Sequence, residues 1–187
     1  MDKKMNKANF TKINSEVVYT GEFFKIRKDR YKNNNLLIEK DFIETTEGVL
    51  ILPIDKDDNI ILIKQFRPTI GTIYEVPAGA INKNEAPLQA AKRELKEEAG
   101  FIAHKWKLVS KHLNSVYEIG FNYYFIASEL TETKNNPDSD ENIDSIIKVS
   151  PQKALQMIQN NQIPCLRSKG IIWNYLVYKN ITLDMEK

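Results

Sequence analysis

The chain holds one cysteine, Cys165, among its 187 residues, so an internal disulfide and a multi-cysteine metal site are both excluded. A single thiol is compatible with a reducing compartment, where a buried, inert Cys165 is expected. A surplus of either charge is also lacking. Lys and Arg number 27 against 25 Asp and Glu, which removes the electrostatic case for nucleic-acid binding. Nowhere do eighteen apolar residues run together, so no membrane span is expected. The first fifteen residues, MDKKMNKANFTKINS, carry no apolar run suited to a signal peptide and read as a frayed or weakly interacting basic tail. A cytoplasmic protein with one main core is expected. Histidine is scarce as well: His104 and His112 lack metal-ligand spacing and receive no catalytic role.

What is present begins with strands. VVYTGEFFKIRKDRY and NLLIEKDFIE, separated by KNNN, predict a hairpin-like N-terminal element too small to carry its own core. GVLILPI and NIILIKQF, split by DKDDN, predict two buried antiparallel strands at the centre of a sheet. IYEVPAGAI reads as strand up to Pro77 and loop beyond it. WKLVSKHL, NYYFIASEL and IDSIIKVS read as further strands. Alternation in FNYYFIAS assigns Tyr123 and Phe125 to the core. Trp106 and Trp173 read as packing residues.

The loop TKNNPDSDEN lacks the ordered ligand spacing of a calcium loop and reads as solvated. SPQKALQMIQNNQI, with Ser150 as N-cap and Pro151 at the first helical position, and SKGIIWNYLVYK predict two closing helices. Strands, helix, strands and helices in that order point to an α+β fold with helices on a mixed sheet.

NEAPLQAAKRELKEEAG has strong helix composition, with Asn84 as the expected cap, Pro87 in the first turn and Gly100 as the stop. Leu88, Ala91, Leu95 and Ala99 fall on one apolar face, and Glu94, Glu97 and Glu98 fall on another. Like charges at this spacing destabilise an isolated helix by a few tenths of a kcal/mol per pair, roughly. Either they are a solvated face paired with Lys92, Arg93 or Lys96, or they are the oxygen ligands of a hard divalent cation.

The wider pattern bears on that choice. Gly79, five residues, Glu85, seven residues, Arg93-Glu94-Leu95, one residue, Glu97-Glu98, one residue, Gly100 and Phe101 resemble the Nudix box, with Phe101 where a smaller aliphatic is more usual. GVLILPI, IKQFRP and YEVPAGAI resemble the ADP-ribose pyrophosphatase branch, which cleaves nucleoside diphosphate sugars. The resemblance covers roughly Asp41 to Ile102 and, more weakly, Glu141 to Lys179. It implies a Nudix-type α/β/α sandwich over residues 44–187, and an N-terminal tail and β element over 1–43 that serves a homodimer.

It also implies Mg²⁺, with Mn²⁺ as a substitute, held by Glu94 and Glu98 with Glu97 assisting and the Ala78 carbonyl completing the shell. Arg93 would hold the carboxylates in place, Gly79 would let the loop approach the helix, and Glu85 would brace the unit. Arg67 would grip substrate phosphate against a salt-bridge alternative. Glu75 would support metal or substrate, or else pair with Arg67.

The resemblance departs from that branch in the loop LNSVYEIGF. Val116 stands where those enzymes carry a proline, sixteen residues after the final glycine of the box. Glu118 is the loop's carboxylate and the candidate general base, with Glu98 or Glu97 as substitutes, and Tyr117 is a candidate for stacking on a base. Three functions therefore stand open: hydrolysis of ADP-ribose or a related nucleotide sugar, hydrolysis of a dinucleotide or dinucleoside polyphosphate, and nucleotide sensing without turnover.

Overall fold

The computed structural model describes residues 10–134 and 142–181. The stretch 135–141, which carries most of the acidic TKNNPDSDEN loop, and the first nine residues of the basic tail lie outside the described residues. The chain divides into two compact units. One runs through Thr46 and includes Leu113–Phe121; the other comprises Glu47–His112 and the chain from Asn122 onward.

The first unit is a four-stranded sheet in the order β1-β2-β3-β9, from β1 (Phe10–Thr20), β2 (Phe24–Asn33), β3 (Leu36–Thr45) and β9 (Glu118–Ile119). The expected hairpin is thus a three-stranded antiparallel meander, joined by a parallel fourth strand. The extra turn lies inside VVYTGEFFKIRKDRY, where Gly21 N donates to Phe24 O at 2.9 Å and folds β1 onto β2. Residues 10–15, read from sequence as part of a frayed tail, belong to β1.

Asp29 explains why the meander holds. Its carboxylate is wholly buried and accepts from Ser15 Oγ (2.6 Å), Tyr31 Oη (3.0 Å), Arg27 Nε and Nη2 (both 3.1 Å), with Lys12 Nζ at 2.9 Å. Burial alone would raise its pKa. The hydrogen bonds from Ser15, Lys12, Tyr31 and Arg27 outweigh that and hold the carboxyl well below the ordinary 3.8. Lys12 and Ser15 come from β1, so the hub ties that strand to β2 where the register shifts between Lys12 and Asn14.

The second unit carries two sheets and the three helices of the described residues. β4 (Gly48–Pro53) lies in the order β7-β4-β10-β8 with β7 (Ala78–Ala80), β10 (Phe121–Glu132) and β8 (Phe101–Leu113). β5 (Ile60–Arg67) lies between β11 (Ile143–Val149) and β6 (Gly71–Glu75). The two apolar runs therefore belong to different sheets, and among the described residues their backbones pair only in an isolated bridge, Ile54 to Ile60. A run buried on both faces carries no alternation by which its partner could be read.

Those faces are covered from two sides. Leu50, Leu52, Ile60 and Leu62 pack with α2 (Pro151–Gln159) and α3 (Leu166–Tyr178), whereas Val49, Ile51, Ile61 and Ile63 pack with α1 (Pro87–Ala99). Helix, strands, helix is the expected sandwich, within an α+β fold. The same double coverage buries Tyr124 on one side and Phe125 on the other, while Tyr123 is half-buried, its hydroxyl donating to Glu47 Oε2 at 3.2 Å. Ser150 caps α2 by accepting from Lys153 N at 3.2 Å. Trp173 is 44% exposed rather than packed, and Cys165 is half-buried at the N-cap of α3. No helix of the described residues is long and apolar enough to cross a membrane.

Candidate active site

Helix α1 is set from below by its apolar residues and from its start by proline. Ala90, Ala91, Leu95 and Ala99 are buried against the strands, while Leu88 is exposed, contrary to its expected place on the packed face. Pro87 is the first helical residue, but Ala86, not Asn84, is the N-cap; Asn84 takes a left-handed φ of 66° in the preceding turn. Gln89 supplies the missing cap, its side chain accepting from Ala86 N at 3.0 Å. Gly100 ends the helix with φ 67°, a conformation that costs glycine little, and its N–H returns to Lys96 O at 3.1 Å.

This anchoring presents the carboxylates. Glu94 and Glu98 are buried and Glu97 is half-buried, so the three are not a freely solvated face. Arg93 sits among them. Its Nη1 donates to Glu94 Oε1 at 2.7 Å and Glu97 Oε2 at 3.0 Å, its Nε and Nη2 to the two oxygens of Glu85 at 3.0 and 3.1 Å, and Nη2 also to Ala80 O at 2.9 Å. The forked bonds from Arg93 outweigh burial and hold Glu85 below its ordinary pKa, and Glu85 in turn accepts from Asn82 N at 2.9 Å. The turn between β7 and α1 is thereby tied to the helix at both of its ends.

β7 approaches α1 closely. Ala78 N donates to Glu98 Oε2 at 2.7 Å, and a Cβ built on Gly79 would fall inside the Glu94 carboxylate. Only glycine leaves room there. The segment leading into β7 is held from α3 by Ser168, whose buried hydroxyl accepts from Val76 N at 3.3 Å. Sequence reasoning missed Ser168, since a serine inside an apolar helix announces no partner.

Arg67, at the end of β5, faces Glu75, at the end of β6: Arg67 Nε donates to Glu75 Oε1 at 2.7 Å. Glu75 is buried, whereas the Arg67 side chain is 40% exposed. The pair lets a buried carboxylate orient a solvent-reachable guanidinium. Glu118 and Tyr117 belong to the other unit. Glu118 is not in an open loop but in β9, paired in register with Ile43, and Tyr117 O accepts from Ile43 N at 2.9 Å. The Tyr117 side chain is exposed, as is Val116 before it.

Three carboxylates, Glu85, Glu94 and Glu97, stand around a single arginine, and a fourth, Glu98, is buried on the same helix against Ala78 N. Among the described residues, no three acidic, histidine or cysteine side chains converge on a metal position as they stand. Arg93 Nη1, shared by Glu94 and Glu97, already fills the position between those two carboxylates. In kind the donors suit a hard divalent cation: all are oxygens, two of the side chains are buried, and the approach of β7 is kept open by Gly79.

The NUDIX domain family model matches residues 44–168, which include the whole of this arrangement. An ADP-ribose pyrophosphatase of Bacillus subtilis (strain 168) is 29% identical over 156 residues, covering 81% of this chain and 84% of that protein. The methanol dehydrogenase activator of Bacillus methanolicus is 27% identical over 156 residues with the same coverage, 81% and 84%. A crystal structure of an ADP compounds hydrolase aligns with TM-score 0.79 over 92% of this chain and 97% of its own, and at 22% identity it speaks for the fold alone.

Proposed function

Because the chain belongs to the Nudix family and is a Nudix hydrolase, we propose that it cleaves the diphosphate linkage of a nucleoside diphosphate sugar, with ADP-ribose the first candidate. The observation that carries this reading is the surplus of carboxylates around Arg93, held by a helix packed on the core and approached by Gly79. That surplus favours a second, removable cation.

Glu94 and Glu98 would hold a divalent ion, Mg²⁺ or Mn²⁺, with Glu97 and the Ala78 carbonyl. When bound, such an ion neutralises diphosphate oxygens and lowers the pKa of water. The chain's own residues do the rest. Arg67, held by Glu75 yet reachable, binds a phosphate oxygen pair through its forked guanidinium. Arg93 keeps Glu94 and Glu97 in place. Water adds to one phosphorus, the bond from that phosphorus to the bridging oxygen breaks, and the bridging oxygen leaves with the other phosphate. For ADP-ribose the products are AMP and ribose 5-phosphate. The water's proton passes to a carboxylate, Glu118 or, failing that, Glu98 or Glu97, and Tyr117 offers an exposed ring for the base.

A second reading rests on Val116, exposed where the ADP-ribose branch carries proline, and on the differing names of the two long matches. In that reading the substrate is a dinucleotide or dinucleoside polyphosphate. A sensor without turnover is disfavoured, since it has no use for a full set of Glu94, Glu97 and Glu98 on one helix. Dimerisation through the N-terminal element over residues 1–43 is part of the proposal. It is supported by the exposed Val17, Val18 and Leu37 of that sheet and Phe23 of its first turn, which a second copy would cover. Cys165, the chain's one thiol, suits action in the cytoplasm.

Incubation with Mg²⁺ and a panel of ADP-ribose, GDP-mannose, NADH and diadenosine polyphosphates tests the reading. Fastest turnover of ADP-ribose is expected; preference for NADH or a diadenosine polyphosphate transfers the assignment to the second reading. Nucleotide binding without any turnover in Mg²⁺ or Mn²⁺ would make the protein a sensor.

A further inference from the structure

Helix α1 has a second charged face. At about 100° per residue, Lys92 and Lys96 stand one turn apart and nearly opposite Glu94 and Glu98. They border a cleft of about 440 Å³ whose other wall comes from β8: Ile102, Ala103, His104 and Trp106. A volume of this order suits a small organic ligand.

The β8 wall is rigid. Trp106 Nε1 donates to Ala103 O at 2.9 Å, and the indole meets Phe125 edge to face, with centroids 6.1 Å apart at 81°. Its one polar hydrogen is therefore spent within the fold, and the indole offers the cleft an apolar aromatic surface. His104 Nε2 is fixed 3.0 Å from Thr131 Oγ1. The α1 wall differs. Lys92 and Lys96 make no ion pair among the described residues, although the neighbouring Arg93 is saturated with carboxylates. Two ammonium groups one turn apart repel each other, and an anion between them would relieve that repulsion.

We propose that this cleft binds a phosphate monoester bearing a planar ring, of the nucleoside monophosphate class, with Lys92 and Lys96 on the phosphate and Trp106 and Ile102 against the ring. Lysine supplies three rotatable donors to a phosphate dianion without demanding one geometry, and stacking on an indole accepts any base. The ligand sits behind the helix that carries Glu94 and Glu98, so it is no part of the reacting site. Where the nucleotide-sugar reading holds, AMP is both a product and a member of this class, and that link alone rests on the reading; the cleft's chemistry does not.

The chain has two tryptophans, so Trp173→Phe leaves Trp106 as the only indole and its emission reports on the cleft. Titration with AMP and GMP is expected to give saturable quenching that adenosine does not produce. Adding Lys92→Gln and Lys96→Gln weakens it by about tenfold or more, and adding Lys92→Glu and Lys96→Glu weakens it further, with the circular dichroism spectrum unchanged. Glu98→Gln, which disables the reacting site, leaves the quenching in place. Absence of saturable quenching, equal quenching by adenosine, or equal affinity in the lysine variants overturns the proposal. Quenching that persists when ADP-ribose is not hydrolysed leaves the cleft standing and removes only its link to the product.

Discussion

Asp29 and Arg93 are inverse arrangements of the same groups. At Asp29 one buried carboxylate is surrounded by Ser15, Tyr31, Arg27 and Lys12, so negative charge is in the minority and fully answered. At Arg93 one guanidinium is surrounded by Glu85, Glu94 and Glu97, with Glu98 buried on the same helix, so negative charge is in excess. The first balance is that of a structural pin. The second is the balance that the proposed divalent cation would complete, since carboxylates gathered more densely than their cations repel one another.

The two clusters should differ most in their response at Glu98. Glu98→Gln removes one surplus charge while keeping an oxygen to accept from Ala78 N, and turnover is expected to fall on the order of 10²–10⁴-fold with an unchanged unfolding midpoint. Steady-state rates alongside thermal melts check this; a large loss of stability with little loss of rate would make Glu98 a structural residue like Asp29. The opposite result is expected at Asp29. Asp29→Asn strips a buried, multiply bonded charge and should destabilise the N-terminal sheet by about 3–5 kcal/mol, seen as faster amide exchange along β1 and β2.

Acid acts on Asp29 in the same direction. Its folded pKa lies below the unfolded one, so its contribution is complete above the unfolded pKa of about 4 and is lost as pH falls toward the folded value. The protection of β1 amides, their exchange divided by the intrinsic rate at each pH, should therefore stay flat from pH 7 to about pH 4 and fall below it, and a fall already at pH 6 would contradict the pin. A smaller effect is expected at Gly79, where Gly79→Ala places a methyl group in the space of the Glu94 carboxylate. It should cost about 1–3 kcal/mol and lower the rate, as denaturant unfolding and turnover would show.

The two clusters were not equally legible in the sequence. The box lies within one helix and one turn, so the spacing of Glu94, Glu97 and Glu98 and the stop at Gly100 could be read locally. Asp29 could not: its partners Lys12 and Ser15 lie on another strand, and β1 itself was hidden because the single Gly21 gives little sign of a turn between two apolar-rich stretches. The same limit governs the sheets, since GVLILPI and NIILIKQF are apolar on every position that would have shown a partner. The Asn84 cap failed for a local reason. A Pro87 start places the cap at Ala86, and Asn84 is used for its tolerance of positive φ two residues earlier. The Arg67 and Glu75 ion pair is one of the two alternatives the sequence offers, and the strand register does not reveal it. Arg67 is paired with Gly71 and Glu75 with Ile63, so the two long side chains meet along the β5–β6 ladder rather than across it.

The claim that the excess of carboxylate at Arg93 exists for a divalent cation is tested most directly by titrating Mn²⁺ into the protein and following the free-ion electron paramagnetic resonance signal, with wild type and Glu98→Gln compared. Saturable loss of the free signal in wild type, strongly weakened in the variant and reversed by excess Mg²⁺, is the predicted result. Equal binding in both proteins, or none in wild type, would contradict it.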